Sequence, residues 1–518
     1  MATTSAVQTG WLKWAIAFTV SLAAMLETVD TSIVNVALTD MQAGVGATVS
    51  QIGWVVTGYA IGNVIMIPLS AWLGDTFGKK RYFVFSMLGF TLASAACGAA
   101  TNLTTLIVAR VIQGLLGGGL LAKAQTFLFE TFPPEEHGMA QAMFGVGVIT
   151  GPAIGPTLGG FLADDLSWRW VFYVNLPIGA LAVLASTLFL PVDRAKSANA
   201  THKVDWWGIS LLIIMLGSFQ TFLEQGEQND WFESASIRGL AIAAAIGFGL
   251  FVWRELTTPK PAVDLRTLRH RSLAAGSLYM MVLGLGLYGL LFAVPIFTQS
   301  VLGFNAQRTG LLLMPGALMS ALMMPIMGKL NRFDPRILIG LGSIILSCTC
   351  FALARINIDT GTPELFWPLL LRGLGTTMMF LPLSLATLSR LPPADLASGS
   401  GFFNLTRQLG GSIGIALLTT VLDRREAFHR AILAGDLSLY SPATQQRLDT
   451  LTATLQQRGI DPTTAHQQAL ALLDQTLSTQ AAILSFADLF RGVGLLFLAA
   501  IPLLFLLGKS GTTKPSLH

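Results

Sequence analysis

Fourteen apolar stretches, each long enough to cross a bilayer as a helix, run along this chain of 518 residues. A spanning helix needs about 20 apolar residues. The stretches start near Trp11, Ser50, Tyr82, Leu103, Gly138, Arg169, Asp205, Ile237, Leu273, Thr309, Arg336, Leu365, Ser398 and Leu484. Short polar breaks separate them, at residues 74–81, 132–137, 224–236 and 253–271 among others. One break, residues 423–480, is far longer.

Composition agrees. The chain is 53% hydrophobic and 12% charged, whereas soluble domains carry about 25% charged residues. A water-facing globular surface, disorder, coiled coil and nucleic-acid binding are thereby excluded. The 52 glycines and 22 prolines suit membrane helices, which tolerate both. Cys97, Cys348 and Cys350 all lie in apolar stretches, so neither a disulfide framework nor a metal site is expected. The first apolar stretch lacks the short core and cleavage site of a signal peptide and is read as a span.

An even number of spans puts both termini on one side. Lys79, Lys80, Arg81, Arg194, Lys196, Lys203, Arg254, Lys260, Arg266, Arg269, Arg271, Lys329, Arg332 and Arg336 then share that side, while the breaks near Gln42, Thr101, Asp164, Asn229 and Thr360 hold almost no Lys or Arg. The positive-inside rule makes the basic side cytoplasmic. The 423–480 break is then extracytoplasmic. Within it, Leu448, Leu451 and Leu455 recur at helical spacing before Gly459. Asp461 and Pro462 open a second helix with Ala465, Ala469 and Leu472 on one face. The two stripes either pack on each other or meet a partner's helix.

The two ends of the chain echo each other at an offset of roughly 260 residues: 68–75 with 325–332, 133–136 with 392–395, and Arg110 with Arg372. Parallel repeats of this kind build transporters. The expected fold is an all-α membrane protein of two six-helix bundles, residues 1–192 and 273–518, with two inserted helices between them in 193–272.

Ionisable groups inside spans are functional candidates. Glu27 and Asp30 share a face of the first span. Poor solvation and like charge favour proton uptake by one of them; the alternative is a hydrogen bond to a neighbouring helix. Arg110, with Gln113 one turn on, needs a partner, and the first-span carboxylates, or carbonyls near them, are the candidates, as a coupling element or a static bridge. Lys123 either snorkels to the surface or lines a cavity. Gly151, Pro152, Gly155 and Pro156 form a kinked, small-residue face suited to sliding or to tight packing. Asn404, Arg407 and Gln408 make a polar patch that faces a cavity or joins helices. Asn35, Gln113, Gln125, Tyr288, Phe292, Met378 and Phe380 are expected to line an amphipathic cavity between the halves. No Walker sequence, His/Cys cluster or nucleophile–base pair is present, so neither enzyme activity nor a cofactor is expected.

Together these residues resemble the Major Facilitator Superfamily, in its fourteen-span drug:proton antiporter branch. Asp30 to Ala37 is similar to the first-span signature of that branch. Residues 71–80 resemble the superfamily loop, with Ala71 and Thr76 departing from it and the gating Asp75 kept. Arg110, Gln113 and Gly114 match RxxQG, and Gly151 to Gly160 matches GPxxGPxLGG. The resemblance implies proton-coupled export of lipophilic drugs across a bacterial inner membrane. It also implies that the long loop meets a periplasmic adaptor and, through it, an outer-membrane channel. A single narrow cargo, such as a fatty acid, lipid or siderophore, is the alternative.

Overall fold

The computed structural model describes residues 10–192, 204–259, 261–330, 333–437 and 441–507. Residues 1–9 and 508–518 lie outside them, as do Arg194, Lys196, Lys203, Lys260 and Arg332 of the expected basic loops, so the placement of both termini is not described.

Helices dominate the described residues, and no strand occurs among them. In chain order they are α1 (Trp11–Val36), α2 (Trp54–Phe77), α3 (Lys79–Gly98), α4 (Leu103–Thr131), α5 (His137–Asp165), α6 (Asn175–Phe189), α7 (Trp206–Gln225) and α8 (Ala235–Thr257). There follow α9 (Arg271–Ile296), α10 (Ala306–Lys329), α11 (Pro335–Leu353), α12 (Thr362–Leu388), α13 (Leu396–Asp436), α14 (Pro442–Gln457) and α15 (Pro462–Ala500). Thirteen helices among the described residues are long and apolar enough to cross a membrane. The expected span near Tyr82 is α3, whose basic first turn of Lys79, Lys80 and Arg81 lowers its mean hydropathy; it packs against α4 and α6 like the others.

The repeat is visible in the packing. Glycines of α5 seat it on α1, and glycines of α13 seat it on α9. A Cβ at Gly151 would stand 2.2 Å from the Thr28 hydroxyl; one at Gly410 would stand 2.1 Å from the Met281 carbonyl. The two sets of helices meet along α5 and α10, where Gly138 and Gly328 bring the backbones together, and along α2 and α13. The inserted α7 lies on α2 and α13, with Gln225 donating to Thr57 (3.1 Å) and Gln220 to Ser412 (2.8 Å).

Basic side chains tie the helix ends on one side. Lys79 pairs with Glu130 and Lys13 with Glu136. Lys80 donates to the carbonyls of Thr187 and Leu190, so it caps the end of α6.

The 423–480 segment is not a separate loop domain. Its first part continues α13 to Asp436, and its last part belongs to α15, which starts at Pro462 rather than near Leu484. Both ends are helical because the carboxylate of Asp488 on α15 accepts from Arg425 (2.6 Å), His429 (2.8 Å) and Arg491 (3.2 Å), and Arg430 meets Asp474. Between them α14 folds back on α15. Leu448, Ala465 and Ala469 are buried there, while Leu472 is exposed. Asp461 caps α15 by accepting from the amides of Thr463 and Thr464.

Candidate functional site

Asp30 is sealed from solvent on α1 and is fully engaged. Its Oδ2 accepts from Arg110 Nη1 at 2.8 Å; its Oδ1 accepts from Gln113 at 2.9 Å and from Asn175 at 2.7 Å. Arg110, equally buried, also donates to the Gln113 side-chain carbonyl (2.8 Å) and to the Val55 carbonyl (3.2 Å), and it lies 4.2 Å from the Tyr59 ring centroid. Asn175 continues the chain to Ser94, which donates to the Phe172 carbonyl. Thus α1, α2, α3, α4 and α6 converge on one carboxylate. Low dielectric strengthens each of these contacts and makes the loss of any one costly.

Glu27, one turn earlier, is held differently. Its Oε1 accepts from Asn63 at 2.9 Å. Its Oε2 is buried without a hydrogen bond among the described residues. Arg407, on α13 of the opposite half, acts on it electrostatically without touching it. Arg407 bonds through Nη1 to the Tyr288 hydroxyl and keeps a buried Nε without a partner. An acceptor on one half and a donor on the other are therefore left unsatisfied within electrostatic reach of each other.

A second junction between the halves centres on Gln125, which donates to Ser384 on α12 (2.8 Å) and accepts from Asn404 on α13 (2.9 Å). The polar patch is thus divided: Asn404 joins Gln125, Arg407 joins Tyr288, and Gln408 is half-buried beside them. Phe380 is buried near Gly145, between α12 and α5. Phe292 and Met378 are half-buried and Asn35 is exposed at the far end of α1. Gln113 sits inside the Asp30 network. Lys123 is buried against Gly74, where a Cβ would stand 2.5 Å from its ammonium, so it does not snorkel to the surface. Asp75 is exposed in the last turns of α2.

On α5, Gly151 and Gly155 face Thr28 and Ser32 of α1, and these hydroxyls donate to the carbonyls of Gly147 (3.2 Å) and Gly151 (3.4 Å). Pro152 and Pro156 lie within the continuous helix. The glycine face therefore borders the helix that carries Glu27 and Asp30. Asn63, Asn175 and Ser384 were not among the expected site residues. Their signal was available: an amide or hydroxyl within an apolar span needs a hydrogen-bond partner.

A duplicated bundle of membrane helices with charged groups buried inside it has the architecture of a secondary transporter. The chain belongs to the Major Facilitator Superfamily, whose family model matches residues 20–415. It is 32% identical to the Multidrug export protein EmrB of Escherichia coli (strain K12), over 96% of this chain and 94% of that protein. It is 30% identical to the Fatty acid resistance protein FarB of Neisseria gonorrhoeae, over 98% and 97% respectively. The Colistin resistance protein EmrB of Acinetobacter baumannii is 30% identical over 95% and 96%. Among solved structures, the human organic anion transporter MFSD10 superposes with a TM-score of 0.56 at 13% identity, over 94% of this chain and 99% of that one. The proton:xylose symporter XylE superposes at 0.57 and 12%, over 81% and 90%. At these identities the likeness of the solved structures is one of fold.

Proposed function

We propose that this chain is a proton-coupled antiporter that exports lipophilic drugs or toxic compounds. The observation that carries the reading is the pair of buried carboxylates on α1, one saturated by Arg110, Gln113 and Asn175 and the other with an oxygen that has no hydrogen bond among the described residues. Asp30 and Glu27 bind and release the proton, and Arg110 holds the charge of Asp30 while the helices move. Cargo occupies the space between the halves, bounded by Tyr288, Phe292, Met378 and Phe380. The glycine face of α5 and the Asp75 end of α2 gate it. The halves are residues 1–192 and 273–518, with 193–272 inserted.

The basic helix ends face the cytoplasm of a bacterium, with both termini, and α14 faces the periplasm. There the α14–α15 hairpin meets an adaptor that leads to an outer-membrane channel. The relatives named for multidrug export support this reading. The relative named for fatty acid resistance favours a second one, a narrower cargo of fatty-acid type. Both readings are tested by an export survey in an efflux-deficient host, where the first predicts resistance to several unrelated lipophilic compounds and the second resistance to fatty acids alone.

A further inference from the structure

The second half of the chain contains its own buried arginine, and among the described residues no carboxylate reaches it. Arg372, on α12, is 5% exposed; its Nη1 is sealed without a partner, and no hydrogen bond or ion pair to its guanidinium occurs among the described residues. A guanidinium stays protonated in any protein setting, and burying it uncompensated is strongly unfavourable.

The repeat shows what is missing. Arg110 and Arg372 are related by the offset between the halves, and each points into its own bundle. Arg110 finds Asp30 on α1. The corresponding helix, α9, contains no acidic residue, and its matching positions are Leu290, Leu291 and Phe292. Neither α10 nor α11 has an acid, and the one on α12, Glu364, caps the helix start. Asp488 of α15 is already taken by Arg425, His429 and Arg491.

Arg372 Nη2 stands 3.7 Å from where a Cβ of Gly316 on α10 would lie, and α11 brings polar groups alongside α12. Leu346 of α11 packs against Gly375, so one turn on α11 brings Thr349 and Cys350 to the level of Arg372. The Thr349 hydroxyl is buried without a partner, and Cys350 is buried next to it. On the other side α10 and α12 are in backbone contact, since a Cβ at Gly373 would stand 2.0 Å from the Gly316 carbonyl. No tail passes between them.

We propose that Arg372 and the Thr349 hydroxyl, beside Cys350, form a binding site for a small monovalent inorganic anion of halide type. The site is distinct from the proton and cargo sites, and the proposal does not depend on the export reading. The bound anion supplies the charge that Asp30 supplies in the first half and locks α10, α11 and α12 together.

The test uses the full chain in lipid nanodiscs with gluconate as the starting anion. Chloride and bromide are expected to raise the melting temperature saturably, while octanoate does not. Thr349→Val should weaken the apparent halide affinity about tenfold, the loss of one hydrogen bond to a charged species. Arg372→Met should melt at one temperature with or without halide. Wild-type protein indifferent to chloride and bromide overturns the proposal, whether or not Arg372→Met folds. Saturable stabilisation by octanoate in place of halide also overturns it and assigns Arg372 to a carboxylate cargo.

Discussion

Arg110 and Asp30 meet at 2.8 Å inside the first helical repeat, at 1% and 0% side-chain exposure. The pair fixes α4 to α1 at the point where Gln113 and Asn175 also converge. Asp30→Asn keeps an acceptor for Arg110 but removes the titrating proton. Coupled export is expected to fall to background, and although the protein still inserts, its melting temperature should drop because the buried Arg110 loses its counter-charge. Arg110→Met strands a buried carboxylate, which costs about 3–5 kcal/mol, so it should lower the yield and melting temperature as well as transport. Thermal melts beside vesicle transport assays separate the two effects.

The α5 glycines have no room for a side chain. At Gly155 a Cβ would stand 1.9 Å from the Ser32 hydroxyl oxygen. Gly155→Val is expected to force α5 away from α1, with an overpacking cost of about 1–3 kcal/mol and loss of export. At Gly249, on α8, a Cβ meets nothing within 4 Å, and Gly249→Ala should leave melting and export unchanged.

Between α7 and α8, Glu227 hydrogen-bonds Asp423 of α13. That bond, then burial and the charges of Asp423 and Asp230, push the Glu227 carboxyl up to about 7 from its ordinary 4.5. The folded contact thus prefers the protonated acid. Its contribution is full below about pH 4.5 and is lost as pH rises through about 7. Hydrogen exchange at residues 226–234, corrected for intrinsic rates, should show increasing opening from pH 5 to pH 8. Glu227→Gln should hold the segment closed across that range. Opening that is identical in both proteins would remove the pair from this role.

Replacing residues 440–460 by a flexible linker should leave transport in proteoliposomes intact, because α14 packs on α15 outside the apolar spans. Whole-cell resistance should drop if the hairpin meets an adaptor. Cross-linking to the adaptor that survives the replacement would exclude that role.

The spans were legible because apolar runs of about 20 residues have one stable answer in a bilayer. The α14 helix and the start of α15 were legible too, through the Leu448/Leu451/Leu455 stripe, Gly459 with its φ of +88°, and the Asp461 cap. The continuation of α13 to Asp436 was not, since the charged run Arg424, Arg425 and Glu426 closes the apolar stretch, and the residues beyond it are tied to α15 by Asp488 and Asp474, more than forty residues away. In the site, the spacing of Glu27 and Asp30 suggested a shared environment. The partners divide them, because Asn63 reaches one and Arg110, Gln113 and Asn175 the other. Local spacing puts two side chains on one face but does not say which neighbouring helices they meet.

The most direct test is drug flux in proteoliposomes under an imposed pH gradient with no nucleotide present. Substrate accumulation should follow the size and sign of the gradient in the wild type, collapse with a protonophore, and be absent in Asp30→Asn. Accumulation that persists after the gradient and potential are dissipated, or that Asp30→Asn performs at the wild-type rate, would contradict proton coupling through the first-span carboxylates.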